Sequence, residues 1–141
     1  MIAAVGAAIV VVGGTVGAVV AAPASPTTFT LNGAVSMLNS GDLIQANGDG
    51  GCYGIGSYSD LATGATVTVR DESGLTVAMG TLGASDAAVT PQTGFVWGCD
   101  IDFAVVGVPD GHPQYQVSVA NRAPQVVSLS TARTYGAVLN I

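Results

Sequence analysis

The chain has 141 residues, of which 9% are charged and 49% are hydrophobic, and its net charge is −6 with three arginines and no lysine. That length suits one domain with a single core. The acidic balance would repel a phosphate backbone, so we expect no nucleic-acid partner. An apolar fraction this high predicts a folded domain and excludes a disordered chain.

The first part of the chain has the composition of an export signal. Residues 1–22 carry no charge, and Ala22-Pro23-Ala24 before Ser25 has the small-x-small form that signal peptidases accept. We expect residues 1–24 to be a cleaved signal peptide or a retained N-terminal membrane-anchor helix, with a buried globular helix as the third alternative. Residues 25–28 are then a short linker, and residues 29–141 form the domain. Both leading alternatives predict a secreted or cell-envelope protein that meets a membrane only through this segment.

Alternating apolar and polar residues predict strands in the first half of the domain. Residues 29–37 form the first strand, where Gly33 in the inward row indicates a bulge or a close backbone neighbour. A polar loop over 39–51 and a glycine-broken strand over 52–58 follow. The clearest hairpin pairs 66–70 with 75–79 across the turn 71–74, where Gly74 supplies a positive φ.

The second half continues this pattern after a long small-residue connection over 80–94, which we expect to cross between sheets. In the strand over 95–105, Phe95, Trp97 and Cys99 face the core, while Asp100 and Asp102 face water. A turn at 109–111 precedes strands over 115–120, 126–129 and 137–141. No segment after Thr28 has a helical stripe. The sequence therefore predicts an all-β domain, an antiparallel two-sheet sandwich of seven or eight strands, immunoglobulin-like or prealbumin-like.

Two resemblances support this fold. The segment from Gly64 to Asp71 with Gly74, followed later by Phe103, Val108-Pro109, Gly111 and Tyr115 to Val119, resembles prealbumin-like domains of carboxypeptidase-regulatory and bacterial surface proteins. Cys52 with Gly54, Tyr58-Ser59-Asp60-Leu61 and Cys99 is similar to small exported two-cysteine proteins of high-GC Gram-positive bacteria that have no assigned activity. Both resemblances imply a sandwich without catalysis. Transthyretin-type hydrolases end in Tyr-Arg-Gly-Ser, where this chain has Arg133-Thr134-Tyr135-Gly136.

Few residues of the chain suggest chemistry. Cys52 and Cys99 are the two cysteines, and in an exported chain such a pair most simply forms one disulfide. The alternatives are free thiols and a metal pair with His112, the one histidine. Neither a catalytic residue nor a cofactor is predicted. His112 in a Gly-His-Pro turn is expected to be solvated, and it is a weak candidate for binding.

The remaining candidates are weak binding residues. Asp100 and Asp102 lie about 7 Å apart on one strand face, which would suit a glycosidase pair or a calcium site, although an exposed face alone explains them. Tyr53 and Tyr58 are candidate surface aromatics. We therefore expect a non-catalytic binding or cell-envelope module with an envelope or extracellular partner. The alternatives are a small secreted hydrolase using surface carboxylates and a calcium-stabilised adhesion module.

Overall fold

Strands dominate residues 27–141, which are the residues that the computed structural model describes. Nine strands, one 3₁₀ turn and one short α-helix follow one another in this part of the chain. In chain order they are β1 (Thr28–Leu38), β2 (Ile44–Ala46), β3 (Cys52–Gly54), the 3₁₀ turn (Gly56–Tyr58), β4 (Thr66–Arg70), β5 (Thr76–Val89), β6 (Val96–Pro109), β7 (Gln114–Val119), β8 (Gln125–Ser128), α1 (Leu129–Thr134) and β9 (Ala137–Asn140). The all-β prediction is confirmed.

Seven strands form one hydrogen-bonded sheet in the order β8-β7-β4-β5-β6-β1-β9, and β2 and β3 form a separate hairpin. The long strand β5 connects the two halves of the sheet, because its first part pairs with β4 and its second part pairs with β6. The prediction of a purely antiparallel arrangement is wrong at one edge, where β9 runs parallel to β1. The helix α1 lies between β8 and β9 and reverses the direction of the chain. Strand β9 can therefore join the sheet parallel to β1.

The two edge strands of this sheet lie close enough for a direct bridge. The Gln125 side chain on β8 donates from Nε2 to the Asn140 carbonyl on β9 at 3.0 Å, and the Asn140 amide donates back to Gln125 Oε1 at 3.3 Å. The sheet therefore curls until its edges meet. A cavity of about 500 Å³ remains between them, lined by Val126, Tyr135 and Val138 among others.

The core lies on the concave side of the curled sheet. Its most buried members are aliphatic residues that alternate along the strands, including Leu31 and Val35 from β1, Val67 and Val69 from β4, Ile101 and Val105 from β6, and Val117 and Val119 from β7. Gly33 is the close backbone neighbour that its position predicts. It pairs with both Phe103 and Ala137, and a Cβ at Gly33 would meet the Ala137 carbonyl and the Phe103 ring.

Two local predictions in the second half of the chain are wrong. The segment 80–94 does not cross between sheets as a loop, because β5 continues through it to Val89. Its small residues reflect crowding instead: a Cβ at Gly80 would lie 3.0 Å from the Val105 side chain. A short helix also follows β8. It begins where the Ser128 side chain accepts a hydrogen bond from the Thr131 amide, the usual chemistry of a helix start.

The predicted signal peptide or anchor over 1–24 lies outside the described residues. Strand β1 begins at Thr28, the last residue of the predicted linker. Within residues 27–141, no helix has the length and apolarity needed to cross a bilayer.

Candidate functional site

The two cysteines form the predicted disulfide. Cys52 on β3 and Cys99 on β6 are bonded at 1.98 Å, and they are 47 residues apart in the chain. Both are buried, and neither is a free thiol. The bridge attaches the β2–β3 hairpin to the main sheet and leaves neither cysteine as a free thiol to bind a metal. It is compatible with an extracellular location.

The tyrosines chosen from the sequence have intramolecular partners. The Tyr53 hydroxyl, on the hairpin, donates to Gln45 Oε1 at 3.2 Å. The Tyr58 ring lies under the Arg122 guanidinium, 5.3 Å from the ring centroid. Arg122 in turn binds the Asp60 carboxylate through two nitrogens, at 2.8 and 2.9 Å. Tyr58 therefore contributes to packing between the 3₁₀ turn and the loop after β7.

Asp100 and Asp102 lie on the outer face of β6, as their alternation predicts. Asp100 is opposite Ser36 on one side and Asp86 on the other, and Asp102 is opposite Ala34. An open depression of about 300 Å³ is lined by Asp102, and Asp100 is not among its lining residues. The two carboxylates thus share a strand face, and only Asp102 lines this depression.

His112 has partners that the sequence did not predict. Its Nδ1 lies 2.7 Å from Glu72 Oε1, although the two residues are 40 positions apart. One ligand atom each from Asp71, Glu72 and His112 can be chosen so that all lie within 4.8 Å of one another. We call these three residues the His112 cluster. The turn after β4 supplies the two carboxylates, and the loop between β6 and β7 supplies the imidazole.

The three side chains of the His112 cluster differ in solvent exposure and in how many hydrogen bonds hold them. Asp71 is 6% exposed, and its Oδ1 accepts from the Ser73 amide, the Ser73 hydroxyl and the Leu75 amide. These bonds, led by that of the Ser73 hydroxyl, hold the pKa of Asp71 below its usual value. The side chains of His112 and Glu72 are 28% and 38% exposed. The cluster thus has one fixed carboxylate and two groups that solvent reaches.

Packing against an aromatic ring also holds the imidazole in place. The Tyr115 ring meets the His112 ring edge to face at 5.8 Å and the Phe29 ring at 5.7 Å. Tyr115 is fully buried, its hydroxyl donates to the Pro109 carbonyl, and burial raises the pKa of that hydroxyl. The loop that carries His112 is therefore fixed to the core at its base.

A serine near the His112 cluster does not form a catalytic triad with it. The Ser73 hydroxyl donates to Asp71 Oδ1 at 2.6 Å, so its proton is directed to that carboxylate and not to the imidazole. Nucleophilic catalysis needs the hydroxyl within hydrogen-bond reach of its base. Here the Ser73 hydroxyl instead stabilises the turn after β4 by its hydrogen bond to the Asp71 carboxylate.

A second notable region is an exposed apolar cluster at one end of the sheet. Phe95 and Trp97 do not face the core as predicted, since they are 50% and 49% exposed. The cause is a β-bulge: the β5–β6 register passes from Ala88 opposite Gly98 to Val89 opposite Val96, which leaves Trp97 without a partner on β5. A bulge redirects side chains in this way. The two-residue alternation of a strand therefore does not predict which of the first side chains of β6 are buried.

Leu38 and Val89 lie at this same end of the sheet. Leu38 ends β1 opposite Gly98, and Val89 ends β5 opposite Val96. They are 64% and 45% exposed. We call Leu38, Val89, Phe95 and Trp97 the aromatic end. The sequence indicated aromatic residues here, but only the bulge explains why they reach solvent.

No family model matches the chain, and no curated protein or solved structure matches it.

Proposed function

We propose that this protein is an exported domain, secreted or held at the cell envelope, that binds an envelope or extracellular partner and carries out no catalysis. The aromatic end is the observation that carries this proposal. Exposed aromatic side chains are enriched at the centres of protein interfaces and are uncommon elsewhere on a surface. A bulge beside them supports the proposal, because bulges recur where a strand must redirect a side chain for function.

We also propose that the curled sheet is a β-sandwich of the immunoglobulin-like or prealbumin-like kind. The change of partner along β5 supports this arrangement, since one half of the strand pairs with β4 and the other with β6. The bridge between Gln125 and Asn140 supports it as well, because it brings the two edge strands together. In such folds binding surfaces commonly lie at the ends of the strands.

The charge distribution restricts the partner. The chain has nine acidic residues and three arginines, and Arg122 and Arg133 are already paired with Asp60 and Asp110. The free surface charge is therefore predominantly negative. An aromatic end on such a surface fits an uncharged glycan or a neutral to basic protein surface, and it disfavours an anionic polymer.

The test uses the one tryptophan of the chain as a local probe. We expect an isolated cell-envelope preparation to retain the oxidised protein in a sedimentation assay, and the Trp97 fluorescence to change on binding. Trp97→Ala should weaken retention at least about tenfold, as removal of a central aromatic residue does. The matched control is Tyr135→Ala, because Tyr135 is 85% exposed and lies beside α1, away from the aromatic end.

Two results would contradict the proposal. Equal retention of Trp97→Ala and Tyr135→Ala would remove the aromatic end as the binding surface. The absence of retention for the unaltered protein, with hydrolysis of an envelope glycan that Asp100→Asn and Asp102→Asn abolish, would favour the hydrolase alternative.

A further inference from the structure

We propose that the His112 cluster binds a divalent transition-metal ion, with zinc as the ion it fits best. The inference is independent of the partner-binding function above and departs from the expectation that the chain needs no metal. It rests on the geometry of Asp71, Glu72 and His112, which belong to two segments that the fold brings together.

The donor set determines the class of ion. One imidazole nitrogen and two carboxylate oxygens suit zinc and its first-row neighbours, whereas calcium and magnesium require more oxygen ligands and do not use imidazole. Ligand atoms about 2.1 Å from a tetrahedral ion lie about 3.4 Å from one another. The separation of 2.7 Å between His112 Nδ1 and Glu72 Oε1 is that of a hydrogen bond, so an ion would replace this bond and the exposed Glu72 side chain would turn outward to make room. The Asp71 ligand atom lies within 4.8 Å of the other two.

Asp71 supplies a carboxylate that is already held in place. The residue is 6% exposed, and its Oδ1 accepts three hydrogen bonds. These bonds would limit the rotation of the carboxylate when an ion binds, as outer contacts do at metal sites.

Coordination also has a simple proton balance. The neutral imidazole offers the Nδ1 lone pair to the ion and keeps its proton on Nε2, while both carboxylates are ionised. The hydrogen now shared between Nδ1 and Glu72 is released to solvent or moves to Nε2. Three protein ligands leave a fourth position for water or for a donor group of a bound partner.

The experiment exploits the presence of a single histidine. In the oxidised protein without a polyhistidine tag, every imidazole carbon–proton NMR signal belongs to His112. We expect zinc chloride to shift these signals saturably at one equivalent, and magnesium chloride to leave them unchanged. Zinc should also raise the Tm by several degrees, because an ion that binds the folded state alone stabilises it.

Two variants separate the site from general surface binding. Glu72→Gln should weaken zinc affinity at least about tenfold while leaving the fold intact, since Glu72 is exposed. The control is Asp42→Asn, which removes one charge from a distant exposed loop at a positive φ that asparagine tolerates. Imidazole signals that stay unmoved in excess zinc would overturn the proposal. Equal weakening by the two variants would overturn it too.

Discussion

Removal of the disulfide should destabilise this domain more than any single surface change. A bridge between residues 47 apart restricts the unfolded chain, and the loop-entropy relation gives about 4 kcal/mol for that separation. Domains of this size have unfolding free energies of about 5–15 kcal/mol. The Cys52→Ala/Cys99→Ala double variant should therefore lose a large share of its stability, with a much lower urea midpoint at pH 7.

The structure also predicts which region of the double variant unfolds first. Strands β2 and β3 have three residues each, and a two-stranded hairpin is marginal in water by itself. Besides the bridge, the Cys52 amide donates to Ser85 Oγ and the Ala87 amide donates to the Gly50 carbonyl. Hydrogen exchange in the double variant should therefore rise first at the amides of this hairpin, before the central strands of the sheet open.

Reduction provides the control for this experiment. The unaltered protein with reductant should unfold at the same urea concentration as the double variant, and reductant should not affect the double variant further. A loss below about 1 kcal/mol would refute the argument that the bridge acts by restricting the unfolded chain.

Three further changes test packing, charge and a buried hydrogen bond. Gly33→Ala should cost about 1–3 kcal/mol in urea unfolding, because the new Cβ would overlap the Ala137 carbonyl; an unchanged midpoint would argue against this strand register. The hydrogen bond from Arg122 lowers the pKa of Asp60 below 3.8 in the folded protein. The ion pair therefore stabilises the fold above that pH, and this stabilisation is lost as the pH falls through the pKa of the folded state. Asp60→Asn should thus cost less than about 1 kcal/mol at pH 7, and the difference in Tm between the two proteins should shrink as the pH falls below 3.8 and through the lowered pKa of the folded state. Tyr115→Phe should cost about 1 kcal/mol, because it leaves a carbonyl without its donor; a gain in Tm would contradict that bond.

Much of the strand content could be predicted because it depends on local periodicity. The alternation from Cys99 to Val105 predicts which side chains are buried, and the structure agrees. The hairpin of β4 and β5 follows from the turn chemistry of Asp71–Gly74, where the Gly74 amide donates to the Asp71 carbonyl and φ is positive at Gly74. Where small residues replace the alternation, as in the second half of β5, the prediction is wrong.

The candidate sites were harder to predict, because each depends on which strands become neighbours. His112 was identified from the sequence as a lone histidine, but Asp71 and Glu72 were not, since they precede it by about 40 residues and form no motif with it. Trp97 was expected in the core, and only the register shift between β5 and β6 brings it to the surface.

The all-β class, the disulfide and the alternating core row of β6 can be predicted from the amino-acid sequence, because they depend on residue type and on the two-residue period of a strand. Other features arise only when distant segments pack together. The parallel entry of β9, the bulge at Trp97 and the meeting of His112 with Glu72 all depend on strand order and register. Those are set by contacts between distant segments, which local patterns do not encode.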